Sequence, residues 1–330
     1  NLCSEITLPT GIDKDGRDRT AVCCLSSLNL EKYDEWKDDK MMINDVMRFL
    51  DNVLTDFIDR APDQFADAKY SAGRERSVGL GVMGFHSYLQ KNQIPLESVM
   101  SKVWNKKIFK HIQENVDQAS KDLADERGAC PDAAEYGFNE RFSNKTAIAP
   151  TASISIICGG ASPGVEPVAA NSYTHKTLSG SFNVRNRYLV ELLEKHGKNT
   201  DEVWSGITTN QGSVSHLDFL TDLEKDVFKT AFELDQKWII ELSGDRTPYI
   251  SQAQSINLFV PADIHKRELH KIHFDAWKKG LKSLYYCRSK SIQRAENVND
   301  TKATDVNANV YKSKPQTTEQ PEYEECLSCQ

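Results

Sequence analysis

The first five residues, Asn1-Leu2-Cys3-Ser4-Glu5, bring together groups that can do chemistry. In extended backbone, residues i, i+2 and i+4 project to one side, so Asn1, Cys3 and Glu5 share a face. The amide can hold a ligand hydroxyl and the carboxylate can take its proton, while the thiol is the one group of the three able to do redox or radical work. The pattern equally fits an extended terminus with one buried cysteine between solvated polar neighbours. More thiols follow at Cys23-Cys24 and at the far end, Cys326-Leu327-Ser328-Cys329. A C-x-x-C on a flexible end suits thiol–disulfide exchange; it is also half a zinc site, and the sequence holds no second C-x-x-C to complete one.

Three further stretches carry chemical possibilities. Pro150-Thr151-Ala152-Ser153-Ile154-Ser155 places small hydroxyl residues after an apolar stretch, where a helix could begin. Backbone N–H groups and hydroxyls at such a point grip phosphate, and the same residues also make an ordinary helix N-cap. Tyr285-Tyr286 offers two adjacent phenols; on a regular strand their rings would splay to opposite faces, so stacking requires irregular backbone. Gly79-Leu80-Gly81-Val82-Met83-Gly84 spells the dinucleotide fingerprint but lacks its context, a preceding buried strand and an acidic residue about twenty positions on. Those glycines read better as permitting close packing.

The elements that must position these residues follow from periodicity. Ala21 to Leu25 reads as a short strand, so one of Cys23 and Cys24 faces a given cavity. A helix over 41–58 carries Ile43, Val46, Met47, Leu50, Val53, Leu54 and Phe57 at helical spacing; a second, over 95–127, turns Val99, Val103, Ile108, Ile112, Val116 and Leu123 inward and stops at Gly128. Thr146 to Ala149 reads as a buried strand, with Cys158 beyond it a structural thiol. Helices over 187–195 and 217–242 follow, the latter with Leu220, Leu223, Val227, Phe228, Leu234 and Trp238 inward and Gly244 as its cap. A strand over 254–260, a helix over 261–279 closed by Gly280, and a strand over 281–287 have the length of a βαβ crossover, which implies parallel pairing. Asp263, His265, His270 and His273 on that helix read as a solvated face, because no cysteine or carboxylate set completes a metal site. Residues 289–330 lack an apolar period and read as a disordered tail after a folded unit over 1–288. About 35 flexible residues reach roughly 30 to 35 Å, enough to enter a neighbouring site.

Composition sets the class. The chain has 330 residues and a net charge of −7, so a whole-chain nucleic-acid footprint is disfavoured although a free nucleotide could bind. No apolar run approaches the roughly 18 residues of a membrane helix, and the start does not read as a signal peptide. Eight unevenly spaced cysteines, two of them adjacent, look unlike a secreted disulfide framework and indicate a reducing, cytoplasmic setting.

Asn-Leu-Cys-Ser-Glu-Ile followed by Thr-Leu-Pro-Thr, Cys23 beyond it, the segment Ala149 to Pro167 and the tyrosine pair together resemble the large (α) subunit of class I ribonucleotide reductase. The resemblance runs nearly end to end and covers that subunit's C-terminal half, particularly versions carried by bacteria and their large phages, which would place the protein in a host cytoplasm. It implies an α/β fold, the second half of a ten-stranded α/β barrel with a catalytic finger loop, plus a flexible C-terminal tail. It implies reduction of ribonucleoside diphosphates by thiyl-radical chemistry, in which Cys3, oxidised through Tyr286 and Tyr285, abstracts the 3′-hydrogen. Glu5 then takes the 3′-hydroxyl proton, Asn1 holds that hydroxyl, and Cys23 supplies one of two reducing thiols. Thr151, Ala152, Ser153 and Ile154 would hold the diphosphate, and Cys326 and Cys329 would re-reduce the active site before being recharged by thioredoxin or glutaredoxin. The implied partners are the N-terminal half of the large subunit and a small subunit whose metal generates the radical; this chain itself would bind no cofactor, and nucleotide effectors would sit on the other half. A half barrel would expose an apolar interior and two strand edges, both aggregation hazards. Other readings are a noncatalytic interaction subunit of the same complex, a thiol oxidoreductase using Cys326 and Cys329 alone, and a cobalamin-dependent reductase, the last disfavoured by the tyrosine pair.

Overall fold

The computed structural model describes residues 3–177 and 180–290. β1 (Gly11–Ile12) and β2 (Asp18–Arg19) form a short antiparallel hairpin across the polar turn. β3 (Leu25–Asn29) pairs in parallel with β4 (Gly79–Met83), Leu25 opposite Gly79 and Asn29 opposite Met83. β5 (Ser172–Thr177) and β6 (Gly180–Arg185) make a separate antiparallel hairpin, while β7 (Leu258–Pro261) and β8 (Cys287–Lys290) pair in parallel. Between the two parallel pairs, Thr146 bridges to Leu80 and Ile148 bridges to Gln254, again in parallel. Backbone hydrogen bonds from Ser255 N–H to Ile148 O (2.9 Å) and from Tyr285 N–H to Ile256 O (2.8 Å) carry the ladder on. The result is a wall of parallel segments in chain order. Parallel neighbours need crossovers, and helices supply them: Met42–Arg60 and Ala66–Glu75 between β3 and β4, Val99–Arg127 before Thr146, and Lys266–Lys278 between β7 and β8.

The glycine run is itself the buried strand β4. A Cβ on Gly79 would lie 2.3 Å from Leu25 Cδ2, and one on Gly81 would lie 2.3 Å from the Ala147 carbonyl oxygen. Glycine is therefore what lets the neighbouring segments approach β4, as expected from close packing. On the Met42–Arg60 helix, Ile43, Met47, Leu50 and Leu54 are buried and Val46 and Phe57 pack against the same core. Asp51, on the same helix and 0 % exposed, accepts from Arg76, Arg127 and Arg141.

Several expected boundaries and faces move. The strand expected over 21–25 starts at Leu25. Val53 on the Met42–Arg60 helix is exposed. Val99 and Val103 are exposed because the stripe of the Val99–Arg127 helix runs through Ser101, Asn105, Ile108, Ile112 and Val116, two positions out of phase with those valines. The helix expected over 217–242 is two, Asp222–Val227 and Gln236–Arg246. Thr221 and Glu224 form a capping box on the first, and Asp235 accepts from Lys237 N–H to start the second. Leu223 consequently faces solvent. Gly244 lies inside the second helix rather than capping it; a Cβ there would meet Lys279 Cβ at 3.0 Å, where the Lys266–Lys278 helix and its end cross. That helix begins at its cap His265, later than Pro261, and β8 begins at Cys287 rather than at Leu281.

Candidate active site

Cys3 and Glu5 are both buried, at 7 % and 2 % exposed, and they lie against the ends of the last parallel segments. Ala253 N–H donates to Glu5 O (2.9 Å), and Gln252 Oε1 accepts from Thr7 N–H (3.2 Å). Two serines hold the turn between them. Ser255 Oγ accepts from Ser4 N–H (3.1 Å) and donates to Glu5 Oε2 (2.5 Å). Ser283 Oγ donates to Ser4 O (2.7 Å) and lies 3.1 Å from Gln254 O. These side chains come from two neighbouring segments, so the turn at residues 3–5 is fastened to the wall by groups far from it in sequence.

The tyrosine rings are in close contact but tilted, with centroids 4.0 Å apart and planes at 37°. The backbone is irregular where adjacent rings meet: residues 281–286 have no regular strand conformation although Tyr285 and Tyr286 both bond to the neighbouring segment. Burial holds the Tyr285 phenol well above the usual tyrosine value, reinforced by hydrogen bonds to Tyr286 and to Cys3. One hydrogen-bonded path thus runs from Tyr286, half exposed, through Tyr285 to the buried thiol. Behind it, Asn257 Oδ1 accepts from Tyr286 N–H (3.0 Å), and Asn257 also donates to Glu166, whose carboxyl burial pushes up to about 7.

Of the adjacent cysteines, Cys24 is buried against Leu50 O, its thiol pushed up to about 11 by burial, and Cys23 is exposed. Cys23 is therefore the one turned away from the helix-packed core. Thr151, with φ 58°, caps the six-residue helix Ala152–Ile157, but its hydroxyl is engaged internally, accepting from Gly164 N–H (2.6 Å) and lying 3.0 Å from Ser155 Oγ. Ala152 and Ser153 are half-buried and Ile154 is exposed. Cys158 ends that helix on the surface. Asn1, Cys326 and Cys329 lie outside the described residues. Cavities of about 600 Å³ beside Arg74 and about 470 Å³ beside Tyr188 are lined by neither Cys3, Glu5 nor the tyrosines. Chemistry, not volume, singles out the site. Among the described residues there is no cluster of histidine, cysteine and carboxylate side chains suited to a metal, and no helix long and apolar enough to cross a membrane.

A family model for the "ribonucleotide reductase, barrel domain" matches residues 1–140 and 132–287. The chain belongs to the ribonucleotide reductase large-subunit family. It is 52 % identical over 300 residues to a ribonucleoside-diphosphate reductase large subunit of Invertebrate iridescent virus 6, covering 90 % of this chain and 31 % of that protein. It is 41 % identical to a putative large subunit of Frog virus 3, covering 100 % of this chain and 55 % of the relative. The solved Actinobacillus ureae class Id ribonucleotide reductase alpha subunit superposes with a TM-score of 0.81 at 40 % identity, over 91 % of this chain and 54 % of that one. The chain thus spans between about a third and just over half of the relatives it matches. Ser255, Ser283, Asn257 and Glu166 were not singled out from the sequence. The polar residues gathered in Gln252-Ala253-Gln254-Ser255-Ile256-Asn257, at the start of a stretch that reads as a strand, are the one signal that could have marked part of that set.

Proposed function

We propose that this chain reduces ribonucleoside diphosphates to their 2′-deoxy forms by thiyl-radical chemistry, as part of a large subunit that needs its N-terminal half and a radical-generating small subunit. The observation that carries this reading is the hydrogen-bonded path from half-exposed Tyr286 through Tyr285 to buried Cys3, two residues from the buried carboxylate of Glu5. Phenols kept dry and hydrogen-bonded can give up a proton and an electron together. In the proposed sequence, Cys3 loses its hydrogen to the oxidised Tyr285 and the resulting thiyl takes the substrate's 3′-hydrogen. Glu5 accepts the 3′-hydroxyl proton, with Asn1 holding that hydroxyl. Cys23 and a second thiol on the other half deliver two electrons to the 2′-carbon as water leaves, becoming a disulfide, and Cys3 returns its hydrogen to C3′. Cys326 and Cys329 then reduce that disulfide and are recharged by thioredoxin or glutaredoxin.

On this reading the wall of parallel segments is half of a ten-stranded barrel, the turn at 3–5 is the tip of its finger loop, and the redox tail expected over 289–330 begins only after β8, which takes in Ser289 and Lys290. The radical comes from a metal-containing small subunit, no cofactor is held by this chain, and nucleotide effectors bind the other half. The substrate diphosphate falls to the start of the Ala152–Ile157 helix. Because the Thr151 hydroxyl is engaged with Gly164, the first N–H groups of that turn are its principal grip, and Thr151 contributes shape.

The test is formation of a deoxyribonucleoside diphosphate by the complete large subunit mixed with its small subunit and a dithiol, alongside mixtures that carry Cys3→Ser or omit one protein. Product in the complete wild-type mixture alone is expected. Turnover unchanged by Cys3→Ser would overturn the thiyl assignment, and absence of product from a stable complex would favour an interaction subunit.

A further inference from the structure

We propose that Ser255 is a positioning residue for the carboxylate of Glu5, a role that rests on the radical reading above. A serine hydroxyl has one proton and two lone pairs. Ser4 N–H can only donate, and it occupies a lone pair of Ser255 Oγ at 3.1 Å, with Ser4 Oγ at 3.4 Å on the same atom. The single proton of Ser255 is thereby committed to Glu5 Oε2, at 2.5 Å. Ser255 is 1 % exposed, so water has little access to take over either contact. Both main chains are fixed as well, Ser255 N–H to Ile148 O (2.9 Å) and Ala253 N–H to Glu5 O (2.9 Å).

The consequence is a division of labour within one carboxylate. Oε2 is held by the wall and Oε1 is left to receive the proton of the ligand's 3′-hydroxyl as the 3′-hydrogen passes to the Cys3 sulfur. Ser283 supplies the internal control: it ties the same turn through Ser4 O, and its hydrogen bonds go to main-chain carbonyls rather than to the Glu5 carboxylate. A residue that merely fastens the turn should behave like Ser283, and one that aims the base should not.

The experiment uses the complete large subunit with its small subunit and a dithiol, comparing Ser255→Ala, Ser283→Ala and Glu5→Gln on ordinary and 3′-deuterated ribonucleoside diphosphate. Ser255→Ala should keep the fold by circular dichroism and lose about 100-fold in kcat, the scale of a misplaced catalytic group, with KM moved less than about threefold. A 3′-deuterium effect on kcat should appear in Ser255→Ala and be smaller or absent in Ser283→Ala. Wild-type kcat in Ser255→Ala, equal isotope effects in the two serine variants, or collapse of the Ser255→Ala fold would each overturn the assignment. Full turnover by Glu5→Gln would overturn the base role of Glu5 and the role of Ser255 with it, whereas turnover unchanged by Cys3→Ser would overturn the radical reading itself.

Discussion

Replacing Asp51 by asparagine should be among the most damaging conservative changes in the chain. The carboxylate is 0 % exposed, and its Oδ1 accepts from Arg76 Nε and Arg141 Nε at 2.8 Å each, while Oδ2 accepts from Arg127 Nη1 at 2.8 Å and Arg141 Nη2 at 3.2 Å. Asparagine keeps the shape, removes the one charge shared by three guanidinium groups, and sets an N–H₂ donor against N–H donors. Removing one partner of a buried ion pair costs about 3–5 kcal/mol, most of it the penalty of the charge left behind. Arg127 is partly exposed and can recover solvation, so the lower part of that range is expected. With a urea slope of about 3 kcal/mol per molar, the midpoint should fall by about 1 M. The difference should also depend on pH. The arginines hold the Asp51 carboxyl below the usual carboxylate range despite its burial, so its stabilisation is present above the unfolded value and is lost as pH falls. Urea unfolding followed by circular dichroism at pH 7 and at pH 3 checks both parts. A midpoint unchanged at pH 7, or a difference that grows toward pH 3, would refute the reasoning.

Glu75 should give the opposite pH dependence. Burial raises its carboxyl from 4.5 to about 7, so the folded chain holds the proton more tightly, and stability is full below the unfolded value and falls as pH rises to 7. Glu75→Gln should gain on wild type by about 3 kcal/mol between pH 4 and pH 8 in denaturant titrations, and parallel curves would rule this out. Gly81→Ala should cost about 1–3 kcal/mol or more in calorimetry, because its methyl would meet the Ala147 carbonyl oxygen at 2.3 Å and backbone cannot step aside as a side-chain tip can; an unchanged melting temperature would contradict that contact. Tyr285→Phe keeps the ring contact and loses the phenol bonds to Cys3 and Tyr286, so unfolding should shift by only about 1–3 kcal/mol while reduction of ribonucleoside diphosphate by the proposed complex falls to background; residual turnover above about one per cent of wild type would break the proposed relay.

What could be read from the sequence was mostly what local rules govern. The helix over Arg187–Lys195 was legible at both ends, its Asn186 cap accepting from Tyr188 N–H. Alternation in extended backbone puts Cys3 and Glu5 on one face, whereas Cys3 and Ser4 lie in a bend and both Cys3 and Glu5 are buried; the need for irregular backbone at Tyr285-Tyr286 follows from the splay of a regular strand. The break between Val227 and Gln236 was hidden because buried Val227, Phe228 and Leu234 continue an apolar period across it. Val99 and Val103 misled for the related reason that small polar residues, Ser101 and Asn105, fill the buried positions instead. Ser255 and Ser283 were illegible as site residues, since a hydroxyl beside a strand becomes a clamp only when a segment some 250 residues away in sequence arrives opposite it.

The fastening of the turn has a dynamic consequence. Ser283 and Tyr285 sit two residues apart on one short segment, one bonded to Ser4 and the other to Cys3. Thermal excursions of that segment therefore carry sulfur and phenol oxygen together. The distance between sulfur and phenol oxygen is thus fixed within one local unit, and in the proposed relay it would depend on that unit more than on the helices outside the wall.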